Sequence, residues 1–367
     1  MPAIRDVLPP LYRSLLRAPF DVDVPAESKA TCASCAMLEA NCGPAARAAP
    51  VDGVPRFFRP DTKCCTFHPR LPNYLVGAIL DDASAAGAEG RARVEARIAS
   101  GVGVTPAWLH PPRTFHVLYD GARGAFGRAE GLRCPYYAVE SGGCTIWAHR
   151  EAVCATYHCK YVAGEDGRRM WSAAKELLSL VEIQLGRLAL LELMPEALDA
   201  PAAARTAAAP LGPEDIDGAP PPERERRAAW GRWRGREAEF YRGCHALVSR
   251  LRPAELEAAL GLDGVVARRQ LAQAMARASS PSLPPVLRLD PRATVRWLPD
   301  GTIALAAYSE LEALALPAEA WPLLLRFTGE EPVAAVRSRL RAEARADLDD
   351  EVLLALFRHR ILAEPLE

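Results

Sequence analysis

The sequence predicts an α+β chain, mainly helical, with a cysteine-rich metal-binding domain at the N-terminal end and a smaller strand-and-helix domain at the C-terminal end. Three observations lead there. Nine of the ten cysteines precede residue 160. The long stretches that follow carry apolar residues at helical spacing. The last segment, from about residue 283, combines two alternating runs around a Pro-Asp-Gly turn with three short amphipathic stretches.

A chain of 367 residues has room for two or three cores. A hydrophobic fraction of 50% with 25% charged residues is a globular profile. The net charge of -1 gives no bulk field toward nucleic acid or an anionic membrane, so neither is expected as a partner. The first residues, MPAIRDVLPPLYRSLLRAPFDVDVP, lack the apolar core of a secretory signal. The most apolar long segment, Trp171 to Met194, carries Lys175, Glu176, Glu182, Arg187 and Glu192, too many charges for a span. A cytoplasmic location is therefore expected. Thiols stay reduced there, which turns dense cysteines toward metal or redox chemistry and away from disulfides.

In chain order, residues 1–30 are expected to be irregular, because Pro9, Pro10, Pro19 and Pro25 interrupt any helix. Residues 50–63 are loop-like, and Tyr74 to Leu80 begins a helix under the cysteines. Residues 83–100 form an alanine-rich polar helix. RTFHVLY at 113–119 alternates like a strand, and Asp120-Gly121 suits a hairpin turn after it. Ile146 to Cys154 is expected to be one short helix. Met170 to Leu193 is the clearest helix, with Leu177, Leu178, Val181, Leu185 and Leu188 on one stripe and Pro195 at its end.

Residues 199–222, rich in Pro, Ala and Gly, form a linker or surface loop between a first domain at 1–198 and a helical segment at 223–282. That segment opens on a helix over Pro222 to Arg252 whose first half is basic, through Arg224, Arg226, Arg227, Arg232, Arg234 and Arg236. Such a face is either solvated or a surface for an acidic partner. A further helix covers Val265 to Ala278. In the last domain, 283–367, strands at Thr294 to Leu298 and Thr302 to Tyr308 flank Pro299-Asp300-Gly301. Helices follow at Pro317 to Phe327, Pro332 to Glu343 and Asp349 to His359, a winged-helix-like content.

The cysteines fall into two groups. Cys32, Cys35, Cys42 and the adjacent Cys64 and Cys65 form the first; Cys134, Cys144, Cys154 and Cys159 form the second. Cys32 and Cys35 have the C-x-x-C spacing at which one tight turn offers two thiolates to one ion. Scattered core residues would not be paired and spaced this way, so all nine are candidate metal ligands; lone Cys244 suits a buried hydrophobe. Four thiolates close a structural zinc site, and thiolates equally hold iron–sulfur clusters. Zinc and iron–sulfur both remain open. His68, His149 and His158 stand beside cysteines and could replace a thiolate. No phosphate loop, nucleophile elbow or H-E-x-x-H helix is present. The glycine-rich GARGAFGRAEG at 121–131 lacks a nucleotide fingerprint and is expected to be a flexible loop.

CPYYAVESGGCTIWAHREAVC resembles the second half of the YkgJ-like cysteine-cluster family, a zinc- or iron-chelating domain. That half runs C-P-[FY]-L, then C-x-I-[YF]-x-x-R-P-x-x-C. Cys134, Pro135, Tyr136, Cys144, Ile146, Arg150 and Cys154 occupy its places, with Trp147 at the aromatic position and Glu151 where proline is usual. The family's compact first half is stretched here over Cys32 to Cys65. The resemblance implies metal chelation through the cysteines. The C-terminal domain is similar to PqqD-like peptide-binding winged helices, on the strand, Asp-Gly turn, strand and the run Leu314 to Leu324, which implies a peptide or protein partner added at a sheet edge.

Two functions are thus expected in competition. One is a cytosolic cysteine-cluster protein holding zinc or an iron–sulfur centre and contacting a protein or peptide through its C-terminal domain. The other is an iron-dependent redox or group-transfer enzyme modifying a peptide or protein; a related cysteine pattern occurs in flagellin lysine methylases.

Overall fold

A computed structural model describes residues 8–16, 20, 27, 32–41, 57–198, 210–279, 282–309 and 311–365. The expectations for Cys42, Pro19, Pro25, residues 50–56 and residues 199–209 lie outside the described residues. The chain is mixed and mainly helical, with small antiparallel sheets. It divides into two compact units. The first comprises 1–26, 53–157 and 173–270, and the second 27–52, 158–172 and 271–367.

In the first unit, α1 (Pro10–Leu15) begins on a proline, where the missing N–H has no helical partner to lose. A helix inside the region expected to be irregular is therefore compatible with its prolines. A two-residue pairing of β1 (Leu71–Pro72) with β2 (Trp108–Leu109) leads into α2 (Asn73–Asp81). This helix is buried on every face, from Asn73 to Leu80. It meets α9 (Glu237–Val248) at Gly77, where a Cβ would stand 2.0 Å from the Tyr241 carbonyl oxygen. Only glycine lets the two backbones approach so closely. α3 (Ala88–Ser100) ends on left-handed Gly101 and packs beside α2.

Residues 113–119 are helical, not extended. α4 (Arg113–Gly121) starts after Pro112 and places Phe115 and Tyr119 one turn apart, their rings 5.4 Å apart and 28° from parallel. The i, i+4 aromatic pair overrides the local alternation, and no hairpin forms at Asp120-Gly121. Nor is Ile146 to Cys154 a single helix. A 3₁₀ turn at Trp147–His149 precedes the short α5 (Ala152–Thr156). Of the long α6 (Gly164–Leu193), Ala174, Leu177, Leu178, Val181, Leu185 and Ala189 line the core of the first unit, as the stripe predicts.

After a single turn, α7 (Pro213–Ile216), the basic region is broken where one helix was expected. α8 (Glu223–Trp230) stops at Gly231, which adopts φ +47°, and α9 restarts at Glu237. Its arginines are engaged within the chain: Arg226, Arg227 and Arg234 share Glu223, and Arg236 holds Glu239. α10 (Pro253–Ser279) is two helices merged across a kink at Gly261, the second containing the expected Val265 to Ala278.

In the second unit, β5 (Val286–Leu289) is the middle of a sheet ordered β10–β5–β9, with β9 (Thr328–Pro332) and β10 (Leu362–Ala363). A second sheet is ordered β6–β7–β8: β6 (Thr294–Trp297), β7 (Thr302–Ala306) and β8 (Leu314–Pro317). The Asp300-Gly301 hairpin forms as expected, with Thr294 opposite Ala306 and Gly301 at φ +80°. Three helices, α11 (Ala320–Leu324), α12 (Val333–Ala344) and α13 (Asp350–Arg358), complete it, the first shorter than expected, with Pro317 closing β8. Leu287, Ile303, Leu324, Phe327, Leu353 and Leu362 anchor one shared apolar core.

Candidate metal centre

The Cys64-Cys65 pair sits in a turn at 57–66 that is fixed by hydrogen bonds. Gly127 is its anchor. Its carbonyl accepts from Arg59 N (2.9 Å) and Thr62 Oγ1 (3.1 Å), and its N–H donates to Thr66 Oγ1 (2.8 Å). Gly127 has φ +71°, and a Cβ there would lie 2.3 Å from the Phe58 ring. Part of the glycine-rich run is thus a structural peg; the expectation of a merely flexible loop is corrected at this residue. Lys63 adopts φ +48° and sends its Nζ to the Gly142 carbonyl at 2.6 Å. Tyr137 donates to the Pro60 carbonyl at 3.1 Å.

The second group is laid against this turn. Cys134 N donates to the Cys65 carbonyl at 2.8 Å, which joins the two cysteine groups through the backbone. The chain then forms β3 (Tyr137–Ala138) and β4 (Gly143–Cys144), a two-residue hairpin with Tyr137 opposite Cys144. α3 holds the hairpin from behind. Arg93 donates to the Pro135 and Tyr137 carbonyls, and Gly90 leaves room for the Thr145 carbonyl, 2.3 Å from where a Cβ would be. Arg150 lies over the Trp147 ring at 3.5 Å and donates to the Cys154 carbonyl at 3.1 Å. The aromatic and arginine of the motif therefore act together to fix the turn before Cys154.

Glu151, in the place of the family's proline, caps α5. Its carboxyl accepts from Val153 N and Cys154 N, both at 2.8 Å. Behind it Glu182 Oε1 accepts from Ala152 N (2.7 Å) and Tyr12 Oη (3.1 Å), and Tyr12 and Tyr74 share a hydroxyl–hydroxyl bond of 2.7 Å. Burial raises both carboxyl pKa values above the usual range; for Glu182 the nearby Glu151 adds to it. Sequence reasoning missed this buried acid–phenol chain. Its only signal was a glutamate at position 182 inside an otherwise apolar stripe.

The thiols are in electrostatic contact. Cys154 feels Glu151, Cys134 and Cys144, after burial, and all raise its pKa well above the ordinary thiol value. Burial pushes Cys134 up to about 12, with Cys144 adding to it. Cys64 is raised first by its hydrogen bond to the Cys65 thiol, then by burial. Among the described residues no disulfide forms, and no three His, Cys, Asp or Glu side chains stand as a ready ligand set. The first unit thus holds two thiol sets, Cys64 with Cys65 and Cys134 with Cys144 and Cys154. Cys32, Cys35 and Cys159 belong to the second unit. There the chain after Cys159 is clamped by two buried glutamates. Glu27 accepts from Val162 N (2.7 Å) and Trp171 Nε1 (2.9 Å), and Glu312 from Tyr161 N (3.2 Å).

The three histidines fare differently. His68 Nε2 meets the Arg133 carbonyl at 2.9 Å, so that nitrogen carries the proton, and its ring stacks on Phe115 at 3.7 Å. His149 Nε2 is bonded to Asp82 at 3.1 Å. His158 packs on Trp171 at 4.6 Å. Cys244 is fully buried in α9, as a hydrophobe would be. Among the described residues no helix is long and apolar enough to cross a membrane. Comparison of the chain with protein-family models, curated proteins and solved structures finds no match.

Proposed function

We propose that the chain is a metal-binding protein in which Cys64, Cys65, Cys134, Cys144 and Cys154 supply thiolates to one zinc or iron–sulfur centre. The observation that carries this reading is the meeting of two thiol sets, Cys64 with Cys65 and Cys134 with Cys144 and Cys154, none in a disulfide, joined by the Cys134 to Cys65 backbone bond. The donor chemistry fits a soft metal. Cys64, Cys134 and Cys154, raised by burial and by neighbouring thiols, remain protonated alone, and a bound cation is what converts such groups to thiolates. Closing the set requires the thiols to draw together, and the elements that carry them are short enough to shift: a two-residue hairpin and the five-residue α5. Cys32, Cys35, Cys42 and Cys159 form the second donor group of this reading, with the YkgJ-like resemblance supporting both.

The C-terminal module would contact a peptide or protein. The sheet β6–β7–β8 ends on β6 and β8, and β6 finishes on Trp297, 60% exposed. If the centre is iron–sulfur, redox or group-transfer chemistry on that partner would need an iron with fewer protein ligands than a closed site takes, so some of the five thiols would stand aside from it.

The test is purification without oxygen, followed by metal counting and a visible spectrum. A brown protein with iron and acid-labile sulfide selects the cluster; a colourless one with stoichiometric zinc selects the scaffold. A folded chain that retains neither metal, and takes up neither on reconstitution, ends the proposal.

A further inference from the structure

Beside the C-terminal end of α5 the first unit has an open cleft of ≈ 380 Å³, lined by Tyr119, Asp120, Ala122, Arg123, Phe126 and Tyr157. That is the size of a small-molecule site. Its rings are held from behind. Phe126 meets Tyr157 edge-on at 5.5 Å and is backed by Phe58 at 5.5 Å. Tyr119 is backed by Phe115 at 5.4 Å and Phe67 at 5.9 Å. Tyr157 keeps 38% of its surface exposed, so the aromatic wall is accessible.

Two charges of opposite sign complete the lining. Asp120 lies in the last turn of α4 and Arg123 opens the 3₁₀ turn that follows the non-helical Ala122, yet no ion pair joins them, and neither side chain bonds to another described residue. This sets Arg123 apart from Arg59, Arg93 and Arg133 in the same unit, each of which is committed to a carboxylate or carbonyl. Both charges reach the same phenol. After burial, Asp120 pushes the Tyr119 pKa up and Arg123 pulls it down.

A simple anion in this cleft would meet Asp120, and a simple cation would meet Arg123. A ligand bearing both signs a few atoms apart, on an apolar planar body, meets neither penalty. We propose that the cleft binds a free α-amino acid with an aromatic side chain: carboxylate on Arg123, ammonium on Asp120, ring against Tyr119, Phe126 and Tyr157. A peptide end would bring only one of the two charges. Ligand binding here needs no metal, although the cleft borders the proposed centre: Tyr157 caps the helix that carries Cys154, and Cys154 acts on Tyr119.

Binding is measured by calorimetry on the full chain, with metal content determined on the same sample. The probes are L-phenylalanine, L-phenylalaninamide, which lacks the carboxylate, N-acetyl-L-phenylalanine, which lacks the ammonium, and L-alanine, which lacks the ring. Each of the last three is expected to bind roughly tenfold or more weakly than phenylalanine, as expected for loss of one charge-assisted bond or of the stacking surface. Arg123→Gln should weaken phenylalanine by a similar factor and leave the amide unchanged; Asp120→Asn should do the same with the acetyl derivative unchanged. Both side chains are exposed, so the variants keep the fold. Absence of saturable phenylalanine binding to the folded chain, equal binding of the amide, or unchanged affinity in both variants overturns the proposal. Because metal content is read separately, none of these results bears on the metal centre.

Discussion

The cysteine segments of the first unit and the C-terminal part of the second are built by opposite means. From β5 to β10, strands and helices contribute to one apolar core that includes Leu287, Ile303, Leu324, Phe327, Val336 and Leu353. Over 57–68 and 127–156, the regular elements are only two to five residues long, and single hydrogen bonds to Gly127, Gly142 and Cys65 fix the path. A distributed core loses a fraction of its stability when one residue is changed. A chain pinned at a few polar points can lose its path altogether. The cysteines stand where regular secondary structure is scarcest, which is where a metal would add most to folding.

On the proposed metal reading, removal of the ion is the largest perturbation expected. Binding of a structural thiolate-held ion supplies on the order of 10 kcal/mol, and that amount is lost with it. Chelation, or Cys134→Ser, should open 57–68 and 127–157 to limited proteolysis while 283–365 stays protected. Mass spectrometry of the fragments reads the difference. Equal protection of both regions after complete metal loss would erase the contrast.

The opposite arm is Leu353→Ala in α13. Truncating this fully buried side chain should cost about 2–5 kcal/mol. The loss appears in thermal unfolding of the second unit, with no change in metal content. A fall in metal stoichiometry in this variant would mean that the two regions are not built independently.

Glu182 sharpens the comparison within the first unit, because it supports the cysteine helix without touching a thiol. Glu182→Ala leaves Ala152 N and Tyr12 Oη without their acceptor and should cost about 3 kcal/mol. Glu182→Gln keeps an oxygen in place. The fold raises this carboxyl's pKa, so it holds a proton that the unfolded chain releases above about pH 4.3, and the wild-type residue loses stability as pH rises past that value. The glutamine variant should therefore match or exceed the parent at pH 8, by denaturant unfolding. A Gln variant as weak as the Ala variant would show that ionised Glu182 is the stabilising form.

How much of this was legible in the residues follows from how far each interaction reaches along the chain. The α6 stripe and the Asp300-Gly301 hairpin are local patterns, and both stood in the sequence. So did Cys64-Cys65 and Cys134 to Cys154 as sets of candidate ligands. The peg at Gly127 was hidden, since its partners Arg59, Thr62 and Thr66 lie some sixty residues upstream and none has a periodic signature. The α4 error has the same root: alternation over 113–119 was real, but Phe67 and His68 pack on Tyr119 and Phe115 from elsewhere and favour the helical face. β5, β9 and β10 escaped notice because a two- to five-residue strand paired across the module has too few residues to show a period.

The smallest effect expected is acid sensitivity in the first unit. Burial lowers the pKa of His68 and of His110 to about 4. In the unfolded chain both take up a proton near pH 6.5. Between those values the unfolded state binds more protons, so stability is whole above about pH 6.5 and declines as pH falls toward 4. At pH 5 each histidine should account for about 1–2 kcal/mol of lost stability. His68 adds a structural reason: only the Nε2 proton is satisfied, by the Arg133 carbonyl, while Nδ1 is buried without a hydrogen-bond partner, so a second proton there would have no acceptor. The measurement is denaturant unfolding at pH 7 and pH 5, for the parent and for His68→Gln with His110→Gln. Part of the decline should vanish in the double variant at equal metal content. If the two slopes coincide, acid acts elsewhere, and the neutral histidines are not what separates the polar scaffold from the apolar one.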